Sequence, residues 1–216
     1  MNKIVVFGAG GRSGRAILSE ARSRGHQVTA AIRAPQNHPD LVEHADFLVQ
    51  ADAMCPGDVA EAAAGHDTAV NATRSAGTIA ADHLVKLNDA LLSGLTEARV
   101  ARLLVVGGAG TLEIAPGLQF VDTAAFPHSA KPRGIAHREA LQALRASSTW
   151  VDWVYVTPPP AFVPHGPRTG AYRIADARFL VDAPDSSAIS YADYAIGIVD
   201  EIELCRYHRE RIVLTR

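Results

Sequence analysis

The feature that most constrains the fold of this chain is a glycine-rich turn between an apolar segment and a helical one. Ile4–Phe7 is apolar without alternation, which is typical of a strand buried on both faces. The turn Gly8-Ala9-Gly10-Gly11-Arg12-Ser13-Gly14 follows, and helical spacing covers Ser13–Arg24. Glycine at the first, fourth and seventh positions permits a tight bend, close approach of the backbone to a pyrophosphate, and packing of helix on strand. The pattern predicts a dinucleotide-binding unit; the alternative is an ordinary flexible loop.

The rest of the chain alternates between strand-like and helical segments, which predicts a parallel sheet with right-handed crossovers. Further strands are expected at Gln27–Ile32, Asp46–Val49, Thr68–Asn71, Leu103–Val106, Trp153–Val156 and Arg211–Leu214. Further helices are expected from Pro56 to Gly65 and over Ile79–Thr96, Arg133–Arg145 and Tyr191–Glu203. Ser190 is expected to cap the last helix, with Asp193 as a capping-box-like acid.

The fold class is therefore α/β, a Rossmann-type doubly wound parallel sheet with a small C-terminal cap on the substrate side. Residues 1–216 are expected to form a single domain, because this length supports one substantial core and leaves little for a second. The cap is expected mainly in residues 111–132 and 158–190, including a hairpin of Ala171–Ile174 with Arg178–Val181.

Composition and charge exclude several classes of partner. Net charge is −2 and the 21 basic residues are scattered, so nothing indicates binding to nucleic acid or to an anionic membrane. No apolar run approaches the roughly 20 residues of a membrane span. Cys55 and Cys205 lie far apart without metal spacing, and the N-terminus leads directly into a strand. These features predict a cytoplasmic protein with free thiols and no metal site.

The end of the second strand carries a cation where many dinucleotide-binding proteins carry an acid. An acid about 20 residues beyond the glycines holds the ribose 2′-hydroxyl of NAD(H), but this chain reads Ala31-Ile32-Arg33 and has no acid before Asp40. The planar fork of Arg33 suits a 2′-phosphate, and Arg12 in the turn could reach the same group from the other side. NADP(H) is therefore predicted over NAD(H); the alternative is that Arg33 is a solvated surface residue.

Other residues at strand ends complete the predicted cofactor site. Asp52 and Ala53 follow the third strand, where Asp52 could accept a hydrogen bond from the adenine amino group or simply flank a helix. The fourth strand ends in a turn whose small residues let the backbone approach the ribose and pyrophosphate. The predicted cofactor set is Gly8, Gly10, Gly11, Arg12, Ser13, Gly14, Arg33, Asp52, Ala53, Asn71, Ala72, Thr73, Arg74, Gly107, Gly108, Thr157 and Pro158.

Several later segments, together with the turn and Arg33, resemble a known group. They are Leu103-Leu-Val-Val-Gly-Gly-Ala-Gly110, Phe120-Val-Asp-Thr123, His137-Arg-Glu-Ala-Leu141, Val156-Thr-Pro-Pro159, Gly166-Pro-Arg-Thr-Gly-Ala-Tyr172 and Ile189-Ser-Tyr-Ala-Asp193. The whole chain resembles the atypical short-chain dehydrogenases/reductases, nearest to the NADH-flavin reductases, with similarity to biliverdin-IX-beta reductase and the NmrA-like regulators. The resemblance implies a Rossmann core, a preference for NADPH, a pocket over the ends of the fifth and sixth strands, and Thr157-Pro158 near the nicotinamide. The group also includes proteins that only sense the cofactor.

The chain lacks the usual catalytic pair of short-chain dehydrogenases. Tyr-x-x-x-Lys is absent, because Asp82 and Pro127 stand four residues before Lys86 and Lys131. Glycines 107, 108 and 110 and Ala109 also occupy the place of the carbonyl-polarising serine. Hydride transfer to a flavin demands less of the protein, which mainly stacks and aligns two rings. Gly107–Gly110 could form a floor for such a planar guest or could reflect close packing.

Three residues are candidates for catalysis. They are Thr111, as a hydroxyl beside the glycines, Lys131, as an anion binder or a solvated loop residue, and His137, as a proton donor or a structural residue within a helix.

These features predict an NADPH-dependent oxidoreductase that transfers hydride to a planar small-molecule acceptor such as a flavin or quinone. The alternative is a catalytically weak, NADP(H)-sensing regulatory protein of the NmrA-like type. An epimerase or dehydratase is disfavoured because that chemistry again uses the tyrosine–lysine pair. The sequence does not predict an oligomeric state.

Overall fold

The computed structural model of the protein describes residues 1–74, 80–175 and 188–216. Within these ranges the strands are β1 (Lys3–Phe7), β2 (Gln27–Ile32), β3 (Phe47–Gln50), β4 (Thr68–Asn71), β5 (Arg102–Val106), β6 (Glu113–Ala115), β7 (Leu118–Gln119), β8 (Asp152–Thr157), β9 (Ala161–Val163), β10 (Arg173–Ile174), β11 (Ala188–Ser190) and β12 (Glu210–Thr215). The α-helices in the same ranges are α1 (Arg12–Ser23), α2 (Pro56–Ala63), α3 (His83–Glu97), α4 (Lys131–Ala146) and α5 (Tyr191–Leu204).

Eight of the described strands form one central sheet in the order β10-β12-β8-β5-β4-β1-β2-β3. Neighbouring strands are parallel except β10, which runs antiparallel to β12. The chain builds outward from β1 to β3 on one side and then from β4 onward on the other. The sheet is therefore doubly wound, as the sequence predicts, and its crevice lies where β1 and β4 end.

Alternate residues of the central strands face two separate helical layers. Ile4 and Val6 belong to a core with α1 and α5, whereas Val5 and Phe7 belong to a core with α2, α3 and α4. All four side chains are fully buried. This double burial explains why the β1 sequence is apolar without alternation.

The segments outside the main sheet differ from the prediction. The cap region predicted at 158–190 contains β9, which pairs in parallel with β11, and the cap region predicted at 111–132 contains the antiparallel pair β6–β7. These pairs are only two or three residues long, too short to show a periodic pattern. The predicted hairpin begins with β10, which pairs antiparallel with β12. Its second half, Arg178–Val181, and the predicted start of α3 at Ile79 lie outside the described residues.

Ser190 caps α5 as predicted, whereas the carboxylate of Asp193, predicted as a capping-box-like acid, binds the loop before β10. The Ser190 hydroxyl accepts from the Asp193 N–H at 2.9 Å. The Asp193 carboxylate accepts from the N–H groups of Thr169 and Gly170, at 2.9 and 3.0 Å, and from the Thr169 hydroxyl. Asp193 therefore joins the loop before β10 to the first turn of α5.

None of the helices in residues 1–74, 80–175 and 188–216 has the length and apolar character needed to cross a membrane.

A buried ion-pair network at the amino ends of β5 and β8 links these two strands to α5. The Arg102 guanidinium donates to Glu201 at 2.6 Å and to Asp152, and it also reaches the Tyr207 carbonyl at 3.2 Å. The Glu201 side chain is 1% exposed. Removing one partner would leave a buried charge without compensation, which is far more costly than breaking a solvated pair.

We expect Arg102→Met to lower the free energy of unfolding by about 3–5 kcal/mol, measured by urea denaturation. Lys86→Met, which breaks the exposed pair with Asp82, is the control and should cost no more than about 1 kcal/mol. Equal costs for the two variants would show that the Arg102 network does not stabilise the sheet.

Candidate functional site

A cavity of about 700 Å³ opens at the carboxyl ends of β1, β2 and β4. It lies at the switch point of the doubly wound sheet, where ligands bind in folds of this class. Its walls are formed by Gly8, Gly10, Gly11, Ala31, Ile32, Arg33, Ala34, Asn37, His38, Ala51, Asp52, Ala53, Met54, Thr73, Arg74, Ala80, His83 and Leu87. The structure thus brings together eight of the predicted cofactor residues: Gly8, Gly10, Gly11, Arg33, Asp52, Ala53, Thr73 and Arg74.

The glycine turn is held tightly against the end of β4. Gly8 has a φ of +75°, and a Cβ there would lie 2.5 Å from the backbone of Thr73. A Cβ at Gly14 would lie 2.5 Å from the carbonyl oxygen of Gly8. Both positions require glycine, one for its conformation and both for lack of space. The Gly14 contact is the close packing of helix on strand that the sequence pattern predicts.

The N-terminus of α1 opens toward this crevice without a protein cap. Gly11 is the N-cap residue, and among the described residues no side chain caps it and no acid lies in the first turn. The unsatisfied N–H groups and the positive end of the helix dipole suit a phosphate. A pyrophosphate therefore fits this end of the cavity.

Two cations in the cavity wall have no partner among the residues that the structure describes. Within the described ranges, the guanidinium groups of Arg33 and Arg74 make no hydrogen bond or ion pair. Arg12, in contrast, lies outside the cavity lining, with its guanidinium 5.8 Å from the centre of the Tyr191 ring. The expectation that Arg12 reaches a 2′-phosphate opposite Arg33 is not supported by this position. Together with the glycine turn, Arg33 and Arg74 make the cavity suitable for a phosphorylated dinucleotide.

Asn71 shapes the cavity without lining it. Its Oδ1 accepts from the Thr73 N–H at 3.1 Å and from the Thr73 hydroxyl at 2.6 Å, while its Nδ2 donates to Asn88. Asp52 plays a similar local part, because its carboxylate accepts from the Met54 N–H at 3.0 Å, but it also lies in the cavity wall. Asn71 thus fixes the turn that presents the backbone of Ala72 and Thr73 to Gly8.

Four other predicted residues follow the next strands of the sheet: Gly107 and Gly108 come after β5, and Thr157 and Pro158 lie at the end of β8. Gly107 follows β5, and its N–H donates to the Val156 carbonyl of β8 at 2.7 Å. A Cβ at Gly107 would lie 2.4 Å from the Tyr155 ring, and one at Gly108 would lie 2.5 Å from the His137 ring. Of the two interpretations of these glycines, the contacts favour close packing of the protein's own rings.

His137 and Tyr155 form a neutral pair next to Gly107 and Gly108. His137 Nδ1 lies 2.7 Å from the Tyr155 hydroxyl, which lies 3.3 Å from the His137 carbonyl oxygen. Burial, with a smaller effect of Arg133, lowers the pKa of His137 from 6.5 to about 4. Burial also raises the pKa of Tyr155 above its usual value. Both groups are therefore uncharged near neutral pH.

Thr111 and Lys131 do not occupy the positions expected of them. Thr111 is fully buried; its hydroxyl donates to the Gly108 carbonyl at 2.9 Å and lies 3.2 Å from the Thr157 hydroxyl, which is also buried. These contacts indicate a structural role and do not support a catalytic hydroxyl. Lys131 is exposed and begins α4, whereas the sequence suggested a loop position.

Sequence reasoning missed Asn37 and His38, which line the cavity beside Arg33. Their position five and six residues after the end of β2 was the only available signal, because their placement in the cavity wall depends on tertiary contacts. Within residues 1–74, 80–175 and 188–216, no group of three His, Cys, Asp or Glu side chains could hold a metal ion.

The comparison with protein families agrees with this geometry. A family model described as NAD(P)H-binding matches residues 8–203. The chain belongs to this NAD(P)H-binding family. The uncharacterised protein YwnB of Bacillus subtilis is 37% identical over 219 residues, covering 98% of this chain and 97% of that protein.

Two solved structures share the fold over the full length of both chains. A candidate exported protein from Burkholderia pseudomallei is 41% identical with a TM-score of 0.86. A candidate NADH-flavin reductase from Streptococcus pneumoniae is 33% identical, also with a TM-score of 0.86. The resemblance inferred from the sequence, to NAD(P)H-binding proteins of the flavin reductase type, is confirmed.

The low pKa of His137 makes the fold sensitive to acid. The unfolded chain takes up this proton near pH 6.5, whereas the folded protein takes it up only near pH 4. Stability present above pH 6.5 is therefore lost as the pH falls toward 4. For a half-buried ring we expect this contribution to be ~2 kcal/mol.

The expected result is that His137→Gln loses less stability than the wild type between pH 7 and pH 4.5, measured as the free energy of unfolding. His128→Gln, at an exposed histidine, is the control and should follow the wild-type profile. Parallel profiles for all three proteins would contradict the assignment.

Proposed function

We propose that this protein is an NADPH-dependent reductase that transfers hydride to a planar conjugated acceptor such as a flavin or quinone. The observation that carries the proposal is the cavity in which an uncapped helix N-terminus and two unpaired guanidinium groups face one crevice. Membership of the NAD(P)H-binding family supports a nicotinamide cofactor. The name of the Streptococcus relative, a candidate NADH-flavin reductase, supports the reaction type.

Arg33 is the main support for NADPH over NADH. It follows β2, lines the cavity, and makes no ion pair within the described residues. A guanidinium without a carboxylate partner is free to form charge-assisted hydrogen bonds with a 2′-phosphate. The chain has no acid at this position to hold a 2′-hydroxyl instead.

His137 is best suited to orient an acceptor without acting as an acid. The nicotinamide, when bound, supplies the hydride. A neutral imidazole with a pKa of about 4 has no acidic proton to give near pH 7. The 2.7 Å contact is shorter than the carbonyl contact, so we assign the Tyr155 proton to Nδ1, which leaves the imidazole proton on Nε2. Nε2–H can then donate a hydrogen bond beside Gly108, and water supplies the proton that accompanies the hydride.

A second candidate function is a sensor of the NADP(H) redox state. The specific observation that favours it concerns the hydroxyls of Thr111 and Thr157, which contact each other and, for Thr111, the Gly108 carbonyl. Neither hydroxyl is therefore available to donate a proton to a substrate after β5. Such a protein would bind NADPH tightly without turnover and would change its affinity for a protein partner with the oxidation state of the cofactor.

The cytoplasmic location expected from the sequence is part of this proposal. The free, exposed thiols of Cys55 and Cys205 support a reducing compartment. The name of the Burkholderia relative, a candidate exported protein, points the other way. Fractionation of the native host would decide between them.

Replacing Arg33 tests the choice of cofactor. We expect Arg33→Asp to weaken NADPH binding by about 1.5–3 kcal/mol, roughly ten- to 150-fold, and NADH binding far less. Arg22→Asp, on the exposed side of α1, is a matched control for the change of charge. Calorimetric titration gives both constants. Equal weakening of NADPH and NADH would show that Arg33 does not contact the phosphate.

An acceptor panel tests the reaction. We expect purified protein to oxidise NADPH when FMN, FAD, a quinone or a redox dye is present, followed at 340 nm under anaerobic conditions. Arg102→Met, assayed where it stays folded, should retain the activity because Arg102 lies at the amino end of β5, whereas the cavity lies at the carboxyl ends of the strands. Tight NADPH binding without turnover above the uncatalysed rate for every acceptor would exclude the reductase and favour the sensor.

A further inference from the structure

The loop after β2 places His38 directly over the glycine turn. A Cβ at Gly10 would lie 2.8 Å from His38 Nε2 and 2.9 Å from Cε1. The imidazole ring therefore occupies the volume that a side chain at position 10 would fill. His38 and Gly10 line the same cavity as Arg33, at the end where β2 terminates. A ring nitrogen of His38 thus lies at the glycine turn, in the wall of the cavity that Arg33 also lines.

Arg15 of α1 holds this ring in place. Its Nε donates to the Gly10 carbonyl at 3.1 Å, and its Nη2 lies 3.1 Å from His38 Nδ1. The Asp40 carboxylate accepts from both terminal nitrogens of the same guanidinium. Arg15 also lowers the pKa of Asp40 below its usual value, so the carboxylate stays charged. Four of the five N–H groups of Arg15 are thereby committed within the protein.

These contacts determine which nitrogen of His38 carries the proton. A guanidinium remains protonated and can only donate, so Nδ1 must accept from Arg15. A neutral imidazole that accepts at Nδ1 carries its hydrogen on Nε2. The arrangement therefore presents an Nε2–H donor over Gly10, while Arg15 itself has little donor capacity left for a ligand.

We propose that His38 is a ligand of the 2′-phosphate of NADPH, donating from Nε2, and that Arg15 and Asp40 are the positioning residues that fix its tautomer. This rests on the proposed function, in which Arg33 supplies the charge at the same phosphate. A hydrogen bond to an ionised phosphate is about twice as strong as one to a neutral hydroxyl. His38 thus adds to the preference for NADPH over NADH.

The experiment compares the dissociation constants of NADPH and NADH for a set of variants. His38→Leu removes the donor, and we expect it to weaken NADPH about ten- to a hundredfold and NADH less than threefold. His38→Gln keeps an N–H donor and should recover most of the NADPH affinity. Arg22→Met, on the same helix, is the control and should leave the ratio of the two constants unchanged.

The positioning role is tested by replacing Arg15 and Asp40 together. Arg15→Met with Asp40→Asn keeps the net charge and should lower NADPH affinity, although less than His38→Leu. The same pair of changes should have no further effect on the NADPH/NADH ratio in the His38→Leu background. Additive effects on the ratio would overturn the positioning role.

The outcomes separate this inference from the proposed function. If the wild type prefers NADPH, Arg33→Asp abolishes the preference and His38→Leu preserves it, the inference is wrong and the proposed cofactor stands. If the wild type does not prefer NADPH, both fail. Should the variants not fold, histidine ring ¹⁵N shifts in the wild type still test the tautomer. A protonated Nδ1 at His38 would overturn the inference, and an Nε2–H that shifts with NADPH more than with NADH would support it.

Discussion

The contact between the glycine turn and the end of β4 is the constraint on which the site depends. Only residues without side chains let β1 end against the backbone of Ala72 and Thr73 while α1 begins immediately above. That approach places an uncapped helix N-terminus at the switch point of the sheet, where the strand order reverses. The cavity wall includes both sides of this backbone contact, Gly8 and Thr73, together with the arginines and the loop after β2.

The parts of the fold that repeat a strong local pattern could be predicted from the sequence. The apolar β1, the turn at Gly8 and the cap at Ser190 each carry their cause within a few residues. The short pairs β6–β7 and β9–β11 could not be predicted in this way, because their partners are set by tertiary packing. The same holds for β10, whose partner β12 lies about forty residues away in the chain.

The sequence predicts the position of a site residue well where the backbone sets that position, and poorly where distant side-chain partners set it. Arg33 lies where the strand pattern places it, in the cavity wall. Thr111 was misjudged because its hydroxyl is engaged with Gly108 and with Thr157, 46 residues further on. His38 was missed because its direction depends on Arg15, 23 residues earlier. These hydrogen bonds join residues far apart in the chain, so no local sequence pattern indicates them.

Arg33 and Arg74, which have no partner in the part of the chain that the structure describes, lie beside the N-terminus of α1 and give the ligand-free protein a region of positive potential. Small anions will accumulate there in proportion to their concentration, and phosphate or sulfate buffers will compete directly with a cofactor. Apparent affinities for a nucleotide bearing more phosphates will fall more steeply with ionic strength than those for a nucleotide bearing fewer. The preference for NADPH proposed above would therefore depend on the ionic strength of the solution and would be greatest in dilute electrolyte.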